Sequence, residues 1–122
     1  MLRIGIVFLT IFLWAFAGDD QLEKEIKEAV RYLDSRIIEA PAPESREDVV
    51  YLQALKDLRA FLTGKHRDGE RALKALLFIK VYSEKRGYRP FSEEKIKQLK
   101  LLIETIIRNN TLATVSALHH RS

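Results

Sequence analysis

The chain has 122 residues, no cysteine, 21 Lys and Arg against 17 Asp and Glu, a net charge of +4, and 47% hydrophobic residues. One domain fits this length, since a second autonomous core needs at least about 50 residues. The lack of cysteine excludes disulfides, thiolate zinc sites, iron–sulfur clusters and covalently attached haem, and the balance of apolar and charged residues is that of a folded chain.

Residues 1–17 differ from everything that follows. Arg3 gives a short positive start, residues 4–14 carry no charge, and Ala15-Phe16-Ala17 places small residues where a signal peptidase requires them. This three-part layout predicts a secretory signal peptide cleaved after Ala17, so that the working chain begins at Gly18 and resides in the periplasm or outside the cell. The second reading is a short membrane anchor over residues 4–17. It is disfavoured because fourteen apolar residues fall short of the about 20 needed to cross the hydrocarbon. Membrane contact through this segment is expected only if it stays uncleaved.

The remainder reads as four helices. The first runs from Asp19 to Glu39, with Leu22, Ile26, Ala29, Leu33 and Ile37 on one stripe and acidic residues in its opening turns. Pro41 and Pro43 break it. Ser45 with Asp48 resembles a capping pair for a second helix, from Arg46 to Thr63, with Leu52, Leu55, Leu58 (flanked by Val49), Phe61 and Leu62 inward and Gly64 as terminator. Asp68 caps a third helix, Gly69 to Arg86, ended by Gly87. Ser92 caps a fourth, with Ile96, Leu99, Leu102, Ile103, Ile106 and Ile107 inward. Asn109-Asn110 is the expected stop, leaving residues 111–122 as a tail with at most a frayed extra turn. Similar helices joined by short loops predict an all-α, four-helix up-down bundle over residues 18–110.

Two surfaces stand out. Apolar residues spread around most of the third and fourth helices (Ala75 to Ile79, Val81 and Tyr82; Leu101 to Ile103, Ile106 and Ile107). That breadth suggests enclosure in the bundle, or a face for self-association or a protein partner. Charge is also uneven: residues 18–64 balance at −4 and residues 65–122 at +7. The basic stretch contains Lys65, Arg67, Arg71, Lys74, Lys80, Lys85, Arg86 and Arg89, with Tyr82, Tyr88 and Phe91 interleaved. It is the candidate contact for a partner or a polyanion such as an anionic membrane or wall polymer. Export, helical ion-pair partners such as Glu70 for Lys74, and the lack of a nucleic-acid motif argue against DNA or RNA. Otherwise the stretch is a solvated face, or a complement to the acidic first helix.

No constellation for catalysis emerges. His66 lies in a loop and His119-His120 at the C-terminus, with no His-x-x-x-His or Glu-x-x-His pair, so neither a metal nor a haem site is expected. Ser45 and Ser92 are accounted for as caps, and the pairs Glu47-Asp48 and Glu93-Glu94 sit in first helical turns where the dipole explains them. The scarcity of Cys, Met, Asn and Gln beside abundant charge suggests a heat-adapted organism. The expectation is therefore an exported binding, adaptor or structural module of a bacterial envelope. The alternatives are a small envelope enzyme acting on cell-wall glycan or peptide, and a polyanion-binding protein using residues 65–91.

Overall fold

The computed structural model describes the backbone of residues 19–121 and the side chains of residues 20–111. The expected signal peptide, residues 1–17, lies outside the described residues. Four helices and no strand occur among the described residues: α1 Asp19–Glu39, α2 Arg46–Leu62, α3 Gly69–Glu84 and α4 Glu93–Arg121.

α2, α3 and α4 each begin where a side chain satisfies free backbone donors of the first turn. At Ser45 the cap is reciprocal. Its hydroxyl accepts from the Asp48 amide at 3.2 Å, and Asp48 Oδ2 accepts from the Ser45 and Glu44 amides at 3.3 and 3.2 Å. Aspartate thus closes a capping box usually completed by glutamate. Asp68 accepts from the Arg71 amide at 3.1 Å to open α3, and Ser92 accepts from the Lys95 amide at 3.1 Å to open α4.

The C-termini differ more from expectation. After α2 the chain turns through Gly64 at φ +81°, and the Lys65 amide donates to the Ala60 carbonyl at 2.8 Å. α3 ends at Glu84, two residues before the expected Arg86. There Gly87 and Tyr88 both adopt left-handed backbone (φ 65° and 59°), so that the Tyr88 amide reaches the Ser83 carbonyl at 2.8 Å. α4 does not stop at Asn109-Asn110 but continues to Arg121. Asparagine is only a mildly poor helix former, and no proline or glycine follows it to break the ladder.

α1 packs on α2, α2 on α3 and α3 on α4, and α1 meets α4 over a smaller region. The core is a single cluster in which Leu33, Leu55, Leu58, Ile79, Leu99, Ile103 and Phe91 are fully enclosed. The α1 stripe behaves as its spacing predicts: Ala29 and Leu33 are buried, and Leu22, Ile26 and Ile37 pack against the cluster. Phe91 departs from expectation. It sits before α4 in a polar stretch, yet it is completely buried with its ring edge-on to Tyr32 at 5.2 Å. Among the described residues, no helix is long and apolar enough to cross a membrane.

Candidate functional site

Ala54 of α2 and Ala75 of α3 are both buried and line a groove between the two helices. Both are small, so a trough remains above them between the larger side chains on either side. It is an open groove of about 460 Å³ with Val49 and Val50 on the α2 wall and Phe78 and Lys74 on the α3 wall. Val49 is 55% exposed, and the outer surface of α3 continues the apolar character with Leu77 at 59% and Val81 at 42%. Burying side chains of this size is worth about 1.5–3 kcal/mol each, so leaving several together in water is costly and marks a surface that gains from being covered.

The groove has a polar end. Arg71 Nη2 donates to Asp57 Oδ1 at 2.6 Å, and Gln53 donates to the same oxygen at 3.1 Å. Partial burial tends to raise the Asp57 carboxyl, but these hydrogen bonds outweigh it and hold the group below its ordinary range. His66 lies just behind. One ring nitrogen accepts from the Asp68 amide at 3.3 Å, so the other, 2.9 Å from the Asp57 carbonyl, must be the one that donates. This histidine ties the α2–α3 loop to α2.

At the opposite end, the C-terminal turn of α3 meets the N-terminal turn of α2. Lys85 Nζ donates to Glu47 Oε1 at 2.8 Å, and that hydrogen bond with its positive charge lowers the Glu47 carboxyl. Tyr82 donates to Asp48 Oδ1 at 2.8 Å and lowers the Asp48 carboxyl in the same way. Below this bond the rings of Tyr51 and Tyr82 stack in parallel at 4.0 Å, and the Arg86 guanidinium lies 3.4 Å from the Tyr82 centroid. Burial, with the neighbouring Tyr82 adding to it, pushes the Tyr51 hydroxyl up to about 12.

The basic stretch is therefore divided. Arg71 pairs with Asp57, Lys74 with Glu70, Lys85 with Glu47, and Arg86 with Glu47 and Asp48. Its cross-helix carboxylates among the described residues come from α2 and not from the acidic first helix. Lys65, Arg67 and Arg89 are exposed and form no ion pair with another described residue. The interleaved aromatics do not offer free faces: Tyr82 and Phe91 are buried, and Tyr88 is half-buried against the core. A second cation-bearing aromatic is Tyr32, with Lys95 Nζ 4.4 Å and Arg36 Cζ 5.1 Å from its ring centre and its hydroxyl donating to the Pro90 carbonyl at 3.2 Å.

Of the apolar breadth on the two C-terminal helices, the described side chains of α4 keep little on the surface. Leu102 and Ile103 are buried and Ile106 and Ile107 half-buried, while Leu101 stays exposed. The open surface is built from α3 with α2. Sequence reasoning placed Val49 only as a flank of the α2 stripe and gave Val50 no role. Their adjacency on the outer side of an amphipathic helix was the available signal. Among the described residues, no group of three or more His, Asp or Glu side chains is arranged to hold a metal ion. No protein-family model, no curated protein and no solved structure matches this chain.

Proposed function

We propose that the chain is an exported, small helical binding module of a bacterial envelope, arranged as an up-down four-helix bundle and docking a protein on the outer face of α2 and α3. The observation that carries the docking surface is the open groove lined by Val49, Val50 and Phe78, with Leu77 and Val81 exposed on the same helix as Phe78. The up-down arrangement is supported by the contacts at the two ends of the α2–α3 pair, Tyr82 with Asp48 and Arg71 with Asp57, and by the packing of each helix on the next in the chain. Export rests on the leader of residues 1–17, with its single basic residue, uncharged run and Ala-Phe-Ala end.

A photocrosslinking side chain at Leu77, with a control at exposed Gln98 on α4, tests the docking surface in intact native cells. The reading expects protein adducts from position 77 that are absent from position 98. Equal labelling at the two positions, or none at 77, would contradict it. Polyanion contact is a second reading, supported by Lys65, Arg67 and Arg89 alone, because the other five basic residues of the stretch, Lys80 among them, have carboxylate partners. It expects only weak, salt-sensitive retention on heparin.

A further inference from the structure

The outer face of α3 carries a pattern complementary to its own reversal. Lys74, Leu77, Val81 and Glu84 follow one another at spacings of three, four and three residues. At 3.6 residues per turn they fall within an arc of about 80°. All four are exposed, and this seam is the side of α3 turned away from the core. Such 3–4 spacing is that of a helix seam that pairs with another helix.

We propose that a second copy of this chain covers this face, with the two α3 helices antiparallel about a two-fold axis level with Ile79. The proposal rests on the docking surface described above and specifies its occupant. In this register Leu77 packs on the partner's Val81 and Val81 on the partner's Leu77. Lys74 lies level with the partner's Glu84, and symmetry repeats that pair at the other end. Charge selects the direction. A parallel pair would set Lys74 beside the partner's Lys74 and Glu84 beside the partner's Glu84, which is unfavourable at both ends. The local ion pairs Lys74–Glu70 and Lys80–Glu84, at 3.8 and 4.0 Å on the surface, are weak enough to share their charges with a partner. The same axis leaves the α2 sides of both copies on one side of the seam, so Val50 and Phe78 of each copy extend the apolar strip beside it.

The chain has no native cysteine, so single substitutions report register without interference. Full-length Lys74→Cys and Glu84→Cys chains are mixed under mild copper–phenanthroline oxidation and resolved by non-reducing electrophoresis. The antiparallel seam predicts a disulfide-linked species that needs both variants, because position 74 lies about 15 Å along the helix from the partner's position 74. Linked species from either variant alone at equal yield would indicate parallel pairing and overturn the proposal, as would the absence of any linked species. Association provides a second readout. Lys74→Glu should weaken the dimer about tenfold in sedimentation equilibrium, and Lys74→Glu with Glu84→Lys should restore it. Failure of that rescue would also overturn the register. If the cysteine pair stays unlinked while the Leu77 photocrosslinker captures a different protein, the docking surface stands and the self-pairing fails. If neither gives an adduct, both fail.

Discussion

The Tyr82 hydroxyl donates at 2.8 Å to Asp48, the carboxylate that also accepts from two backbone amides at the start of α2. One side chain thus starts a helix and fastens the end of its neighbour to it. Tyr82→Phe keeps the stacked ring and removes only the hydrogen bond, and should cost about 1 kcal/mol in urea denaturation. Asp48→Ala removes the cap and the tether together and should destabilise more than Tyr82→Phe.

Both ends of the α2–α3 pair should respond to acid. Glu47, Asp48 and Asp57 all titrate below their ordinary values of 4.5, 3.8 and 3.8 in the folded chain. A carboxyl depressed by folding contributes stability that is present above its unfolded pKa and is lost as the pH falls through the folded one. Melting temperature should therefore hold through neutral pH and fall on acidification below those ordinary values. Asp48→Asn with Asp57→Asn should flatten that acid limb.

The alkaline limb has the opposite sign. The Tyr51 hydroxyl is raised from 10.0 to about 12, so folding favours its neutral form. The associated stability is complete below pH 10 and declines as the pH climbs toward 12. Titration followed by tyrosinate absorbance should show a late-ionising component that Tyr51→Phe removes.

Gly69 opens α3 where it crosses α4, and a Cβ there would meet Ile107 Cδ1 and Cγ1 at 2.5 Å. Gly69→Ala should therefore destabilise by about 1–2 kcal/mol despite alanine's higher helix propensity. In an Ile107→Ala background that penalty should vanish, giving a clear coupling in a double-mutant cycle.

Ser83 is fully buried, and its hydroxyl has no hydrogen-bond partner. An unsatisfied buried hydroxyl disfavours the folded state. Ser83→Ala should leave stability unchanged or raise it by up to about 1 kcal/mol in thermal denaturation.

Much of the helical framework was legible from residue type and spacing. The prolines after Glu39, the Ser45–Asp48 pair and the caps at Asp68 and Ser92 act through the nearest few residues, and such local signals survive in a linear reading. The stripe of α1 was legible for the same reason. Phe91 was not, because its burial depends on Tyr32, which is distant in sequence. The end of α4 was missed because the asparagine pair is a weak stop signal without glycine or proline behind it. The groove was missed for a similar reason to Phe91: its lining comes from two helices, Ala54 from α2 and Ala75 from α3, and neither alanine reveals the other. The pairing of Lys85 with Glu47 likewise joins residues from different helices. The basic segment could be seen in the sequence, whereas the source of its neutralising carboxylates could not.

The central claim is that the outer face of α2 and α3 is covered where the protein works. Hydroxyl-radical footprinting read by mass spectrometry measures this directly, comparing Val49, Val50, Leu77 and Phe78 in intact native cells with the purified chain at high dilution. The account predicts strong labelling at high dilution and protection in cells, with exposed Ile38 on α1 labelled alike in both. Equal labelling of the four groove and seam residues in the two settings would contradict it.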